Sequence, residues 1–377
     1  MQKNIFIYQR IMPHYRVDNF NYLNEVLGGK LIVFHDHRIK SNSLILDGKG
    51  VTFKSEQLNL YTLFKGIFFW QGILSPIMRF GRPKAIVVEG NSRFLSNYFL
   101  LLFKLVKIKI IFWGHAKATS TDNTGISARN KLRNILAVAA DGYLTYSEEG
   151  KREITTHCNP KKVFVATNTI NIELISAIRE QLEEPEILKK QLGLSNRYYA
   201  LFIGQLIVDK RVEEVIQKVQ TLKHSGVDIG CIIIGDGPER KNLEEQIAPD
   251  FRKDFHFMGS MPDFRKSAPY IYVTDFFLSP GYIGLAINHC LALGVPAIVE
   301  RDRTKAMHSP EVEYLEDGKN GHFVNFDNEE EFMDVIKTCI VKREEYRNYC
   351  IDYANRNLKL SNFAKGFEDC FQYLKVT

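Results

Sequence analysis

The chain has 377 residues, 45% hydrophobic and 25% charged, with a formal net charge of +6. That balance excludes a disordered or fibrous chain and leaves room for two packed domains. The most apolar run, residues 98–112, is interrupted by Lys104, Lys107 and Lys109 and is too short and charged to span a bilayer. Cys158, Cys231, Cys290, Cys339, Cys350 and Cys370 show no CxxC or metal-ligand spacing, so they read as reduced thiols.

Met1 leads at once into a strand over Asn4–Tyr8, which leaves no room for a secretory leader. The loop QRIMPHYR opens an amphipathic helix from about Val17 to Leu27, closed by Gly28 and Gly29, and Lys30–Phe34 is the next strand. Residues 36–60 are polar and poorly patterned. Residues 58–80 are apolar, aromatic and basic, and predict helices broken at Gly72 and Pro76. Aromatics flanked by Lys65, Arg79, Arg82 and Lys84 suit either a core element or a surface lying on a membrane. A strand follows at Ala85–Glu89, a helix at Arg93–Val106, a strand at Lys109–Trp113 ending in WGHA, and a helix at Ala128–Ala139. The strands Gly142–Tyr146 and Lys161–Ala166 complete this half.

After the loop TNTIN (167–171) and a charged helical stretch, Ile172–Leu192, a second series begins. It reads strand Tyr198–Ile203, helix Val212–His224, strand Gly230–Ile234, then GDGPERKNLEEQI as loop and helix. Phe255–Phe257, Asp275–Leu278 and Ala297–Val299 add strands, and the last helices are near Arg343–Ala354 and Ser361–Leu374. Such alternation defines an α/β chain of two doubly wound, Rossmann-like parallel-sheet domains facing a cleft. The expected boundaries are 1–170, 171–355, and a terminal helix over 356–377 that packs back on the first domain. The stretch from Thr274 to Glu300 organises the second domain: strand, tight loop, apolar helix, a Gly294-Val295-Pro296 break, strand. Its glycine-bearing loop presents backbone N–H groups and a helix N-terminus to phosphate or sugar hydroxyls, though many βαβ units carry such a glycine for packing alone.

Charge is unevenly spread: residues 1–170 carry +13 and the remainder −7. A basic first half faces something anionic, whether a phospholipid surface, a diphosphate-bearing acceptor or nucleic acid. No nucleic-acid signature accompanies it, which favours the membrane surface; solvated helix faces are the plainer alternative.

Five motifs run collinearly through the second half: FIGQLIVDKRVEEVI (202–216), IIIGDGPERKNLEEQI (232–247), FHFMGSM (255–261), the 275–296 stretch and PEVEYLEDGKNGHFV (310–324). In them the chain closely resembles the group 4 (GT4) retaining glycosyltransferases of the GT-B fold. In the first half the resemblance is thinner, in PHYRV (13–17), FWGH (112–115), YSEEGK (146–151) and TNTIN. The resemblance implies transfer of a sugar from a nucleotide diphosphate donor, such as a UDP- or GDP-sugar, to a glycan or lipid-linked glycan acceptor in surface polysaccharide or lipopolysaccharide assembly. It implies no further cofactor and no nucleic-acid partner. A cytoplasmic enzyme, peripheral on the inner membrane face, is the corresponding expectation.

The same resemblance assigns residues. Lys210 aligns with the lysine set against the diphosphate, where departing negative charge needs preorganised cations and N–H donors. His115 aligns with a histidine that helps position the donor sugar, and His14 and Arg16 fall in the acceptor-side loop. Donor contacts fall on Gly204, Gln205, Gly235, Gly237, Met258, Pro280, Gly281, Tyr282, Ile283, Gly284, Leu285 and His289. Plainer readings stand beside these: Lys210 as a surface lysine, His115 as a structural histidine, Arg16 as a partner of Asp18. The absence of any Asp-x-Asp argues for lysine and helix N-termini, rather than a divalent metal, as the neutralising groups. One departure matters: the two glutamates that the family spaces across the 281–289 loop and helix are here Gly281 and His289. Either an active subgroup binds its donor through the 282–285 amides and His289, or the chain is a catalytically silent homologue that binds saccharide or partners another transferase. A dinucleotide-dependent oxidoreductase is disfavoured, because the loop YQRIMPHYR after the first strand lacks a glycine.

Overall fold

The computed structural model describes residues 4–36, 50–116 and 126–376, so part of the polar stretch read over 36–60 lies outside the described residues. The chain divides into two compact units, residues 1–171 with 360–377 and residues 172–359.

The strands of the first unit are β1 (Ile5–Gln9), β2 (Leu31–His35), β3 (Lys54–Gln57), β4 (Leu60–Leu63), β5 (Phe68–Gln71), β6 (Ala85–Glu89), β7 (Lys109–Gly114), β8 (Gly142–Thr145) and β9 (Val163–Val165). Seven of them form one sheet in the order β3-β2-β1-β6-β7-β8-β9, with every pairing parallel. Runs such as IFIYQ and AIVVE are apolar on both faces because helices cover both. Phe20 and Leu23 of α1 (Tyr15–Val26) pack on one face with Trp113 and with Phe363, Phe367 and Phe371 of the C-terminal helix Leu360–Tyr373. Phe6, Tyr8, Phe34, Phe112 and Tyr143 fill the other face.

The stretch after Leu58 departs from the expected helices. Strands β4 and β5 pair antiparallel as a hairpin, Leu60 opposite Gln71 and Leu63 opposite Phe68. Its turn places Phe64, Lys65 and Gly66 at φ of 50°, 54° and 85°, a chain reversal that glycine eases. The aromatic run suits a pleated surface better than a helix. Helix α2 (Leu74–Phe80) follows and tolerates Pro76 in its first turn, where N–H groups lack intrahelical acceptors. The helix expected over 93–106 is α3 (Leu95–Leu100) continued as a 3-10 helix, Leu101–Val106. Helices α4 (Ile126–Ala139) and α5 (Glu148–Thr155) complete the unit.

In the second unit the charged stretch 172–192 divides into α6 (Ile172–Arg179) and α7 (Pro185–Gln191), with Pro185 at the favoured first helical position. Strands β10 (Tyr198–Ile203), β11 (Ile229–Ile234), β12 (Phe255–Gly259), β13 (Phe276–Ser279), β14 (Ala297–Glu300) and β15 (Gly321–Val324) form a second parallel sheet in the order β12-β11-β10-β13-β14-β15. Its helices are α8 (Val212–His224), α9 (Arg240–Glu245), α10 (Phe264–Tyr272), α11 (Ala286–Ala292), α12 (Glu329–Val341) and α13 (Arg343–Asn357). Asn328 caps α12, its side chain accepting the Glu331 N–H. Strand order reverses between β1 and β6 in one sheet and between β10 and β13 in the other. Loops at the carboxyl ends of those strands are where open α/β sheets hold ligands.

Candidate functional site

In the second unit the reversal point is built from three loops stacked backbone on backbone. A Cβ added to Gly235 would lie 1.8 Å from the Gly204 carbonyl oxygen, and one on Gly237 2.3 Å from that of Leu206. One on Gly281 would lie 2.4 Å from the Asp209 oxygen. These glycines are first of all packing devices. They fix the loop after β10 between the loops after β11 and β13. Gly235 also donates to Gly259, next to Met258 at the end of β12, and Gln205 stays exposed at the loop's crest.

Lys210 emerges from this stack. Its Nζ donates to the Tyr282 carbonyl at 2.5 Å and lies 4.3 Å from the centre of the Tyr282 ring. Burial pushes its pKa down to about 8, against the opposing pull of Asp209 and Glu311. Arg211, with φ of 50°, bolts the same turn down: it donates to the Pro280 carbonyl at 3.1 Å and to Glu214 at 2.7 Å. It also lies 3.8 Å from the fully buried carboxylate of Glu300. The Tyr282 N–H is used by Asp209, and Ser309 donates to the Ile283 carbonyl. The N–H groups of Gly284 and Leu285 have no acceptor among the described residues. A cation from the loop after β10 is thus held against the loop after β13, which carries the two backbone donors.

His289 follows one helical turn later and stacks on Phe264, ring centres 4.6 Å apart. Burial holds its pKa down to about 4, so the ring is neutral, and its Nδ1 has no partner among the described residues. It can donate or accept one hydrogen bond but supplies no charge. Sequence reasoning missed Arg211, Glu300 and Glu311. Glu311 is buried close enough to Lys210 to act on its titration, and comes from the 310–314 segment rather than from the loop where a glutamate was sought.

In the first unit the reversal point holds a pocket of about 430 Å³. Arg16 and His115 both line it. His14 is the exposed residue preceding α1 and does not line it. Arg16 is buried with its guanidinium 4.4 Å from the Trp113 ring and 5.4 Å from that of Tyr146. His115 packs its ring edge against Tyr146 at 5.0 Å, and its carbonyl accepts from the Tyr143 hydroxyl. Desolvation, then Arg133 and Arg16, push the His115 pKa down to about 4. The ring is open to the pocket, which reduces the desolvation, but both guanidiniums act in the same sense and the neutral form stands. Arg10, Glu89, Arg93, Arg129 and Arg133 also line the pocket and escaped sequence reasoning. Arg10 and Arg93 each follow a strand bordering the reversal, and that position is the signal that could have found them.

Comparison with known proteins bears on both units. The family described as "Glycosyl transferases group 1" matches residues 183–357, nearly all of the second unit. A curated relative, the alpha-monoglucosyldiacylglycerol synthase of Acholeplasma laidlawii, is 30% identical over 154 residues, 39% of this chain. The match spans only 36% of that relative's own length. Among solved structures, Anabaena HepE in complex with UDP superposes with a TM-score of 0.71 at 14% identity, covering 98% of this chain and 99% of that one. A Rickettsia africae glycosyltransferase gives 0.73 at 14% identity, with both chains covered completely. The fold is GT-B. Within it, the second unit is similar to group 1 glycosyltransferases of GT4 type.

Proposed function

We propose that the chain is a retaining glycosyltransferase that needs no metal, holds a nucleotide-diphosphate hexose in its second unit and takes its acceptor in the first. The carrying observation is Lys210, with its ammonium anchored on the Tyr282 carbonyl beside the free N–H groups of Gly284 and Leu285. Breaking the anomeric bond builds negative charge on the departing diphosphate, and these groups supply a preorganised counter-charge where it develops. His289 serves a ribose hydroxyl through one neutral hydrogen bond. The family's missing glutamate at Gly281 is replaced by backbone contacts.

The acceptor is a glycan or lipid-linked glycan of surface-polysaccharide assembly, met at the cytoplasmic face of a membrane. No helix among the described residues is long and apolar enough to cross a membrane. The first unit instead exposes Phe64 and Ile67 at the hairpin tip and Leu102 and Leu105 on the 3-10 helix, interleaved with Lys65, Lys104 and Lys107. Trp70 of the hairpin meets Phe99 of α3 at 5.1 Å, joining the two elements. Apolar side chains among lysines suit an anionic interface. A relative named as a synthase of a monoglucosylated diacylglycerol supports a lipid acceptor.

The test is a panel of UDP-, GDP-, ADP- and CMP-sugars read by nucleotide release and thermal shift. Release with one sugar, abolished in Lys210→Ala, supports the enzyme. Stabilisation without release, even when lipid-linked glycans are added, leaves the silent homologue. Binding of none sinks the transferase reading.

A further inference from the structure

We propose that the pocket of the first unit is a phosphate-binding site, so that the acceptor carries a phosphomonoester or phosphodiester group; the word acceptor rests on the transferase reading, whereas the anion site does not. Among the described residues, five arginines line the cavity, Arg10, Arg16, Arg93, Arg129 and Arg133, against one acidic residue, Glu89. That carboxylate is already engaged, accepting the Arg10 backbone N–H at 2.8 Å. Like charges gathered on one concave wall repel, more so where water is thinned, and an oxyanion is the ligand that relieves this.

The wall is built rather than incidental. Arg133 is 7% exposed, and is held by the Gly90 carbonyl at 3.3 Å, the Ala116 carbonyl at 3.1 Å and Asn130 at 3.0 Å. Arg16 is 3% exposed and lies on the face of Trp113. Guanidiniums fixed in this way lose little freedom on binding and offer forked donors that match phosphate oxygens. The first turn of α1, through Tyr15 and Arg16, adds the positive end of a twelve-residue helix. The pocket volume falls in the range of small-molecule sites and exceeds what one phosphate ion fills, so the group it takes has more attached.

Arg93 indicates where the rest of that molecule lies. Its Nε donates to the Ile67 carbonyl at 2.7 Å, it also reaches the Gly66 carbonyl, and its guanidinium stacks on Phe69 at 4.6 Å. One arginine thus ties the pocket wall to the hairpin tip that exposes Phe64 and Ile67. A phosphate at the head of a lipid satisfies both surfaces at once, and a soluble phosphate only one.

The experiment titrates the full chain by calorimetry with monomeric dihexanoyl phosphatidylglycerol, dihexanoyl glycerol and inorganic phosphate, and separately with UDP and GDP. Phosphatidylglycerol binding that weakens about tenfold in Arg10→Gln and in Arg129→Gln, the loss expected for one charged hydrogen bond, supports the site. Arg82→Gln, the same charge change outside the pocket, is expected to leave it unaltered. Inorganic phosphate binding equally well assigns the phosphate to a soluble acceptor; weaker binding assigns it to a lipid. Equal affinity for the neutral glyceride, indifference to both pocket variants, or an equal effect of Arg82→Gln overturns the proposal. Nucleotide affinity reports separately. If it is absent while arginine-dependent phosphate binding persists, the transferase reading falls and this one stands; if it is present without phosphate binding, the reverse holds.

Discussion

Lys210 is poised to lose its proton within the range where the protein can be assayed. Its pKa of about 8 in the free protein lies below the ordinary lysine value because burial disfavours the ammonium. A bound diphosphate stabilises the charged form and raises that pKa, so above pH 8 binding must take up a proton. Nucleotide affinity is therefore expected to be flat below about pH 7 and to weaken as pH rises through 8, by up to about tenfold per pH unit. Titrations from pH 6 to 9.5 check this, and Lys210→Arg, which does not titrate there, is expected to flatten the profile. His115 and His289 are neutral down to about pH 4, so neither adds an acid limb above pH 5. A limb near pH 6.5 belonging to His115 would contradict its placement among Arg16 and Arg133. Gly281 supports a second prediction. Restoring the family's carboxylate by Gly281→Glu drives a Cβ to 2.4 Å from the Asp209 oxygen and 2.5 Å from the Lys210 carbonyl carbon. The loop carrying Lys210 must shift. Gly281→Glu is expected to lower stability by about 1–3 kcal/mol, as overpacking does, and to weaken nucleotide binding rather than improve it. Thermal unfolding and titration measure both, and a stable variant of higher affinity would refute the stacked-loop account.

Among the elements, the β4–β5 hairpin has the clearest consequence. Phe64 is 69% exposed and Ile67 58%, so Phe64→Ser and Ile67→Ser remove little native packing and should leave the melting temperature unchanged. If the tip inserts among lipids, the double variant is expected to lose about tenfold or more in binding to anionic vesicles, as burial of two such side chains is worth about 3 kcal/mol or more. Cosedimentation decides it, and unchanged binding removes the hairpin from the membrane proposal. This element was also the one least legible in the residues. Tyr198–Ile203 and Val212–His224 could be read to the residue, because a β-branched and aromatic run and a 3.6-residue apolar period leave no choice. LYTLFKGIFFWQ is mostly apolar and aromatic with no regular polar spacing, and periodicity cannot separate strand from helix in such a run. The candidate sites differ in the same way. The second unit's loops are contiguous segments, so their residues stand together in the chain and the resemblance finds them. Arg10, Arg93, Arg129 and Arg133 are isolated letters more than a hundred positions apart at the extremes, and only the sheet order gathers them.

For the whole molecule, the path of the chain matters more than any single contact. Residues 360–377 belong to the first unit although the entire second unit precedes them. The C-terminal helix lies along α1, β8 and β9, and its Phe363, Phe367 and Phe371 are fully buried. Gly366 lets it approach so closely that a Cβ there would lie 2.1 Å from the Val165 carbonyl oxygen. Trp113, which carries the Arg16 guanidinium on one side, meets Phe363 and Phe367 on another, so the helix also backs the pocket. Loss of one buried phenylalanine costs about 3–5 kcal/mol, and a domain's whole stability is about 5–15 kcal/mol. Ending the chain at Lys359 removes three at once and should unfold the first unit outright. The second unit keeps its sheet, its helices and Lys210, since all of these lie within 172–359 and none of the core residues packed with α8 and α12 comes from beyond 359. Calorimetry of the truncated chain is expected to show one cooperative transition, with nucleotide binding retained and phosphate binding lost. A truncated chain that still binds phosphate through Arg10 and Arg129 would mean that the helix is an ornament on the first unit, and that the buried aromatic cluster beneath Arg16 does not hold the pocket in shape.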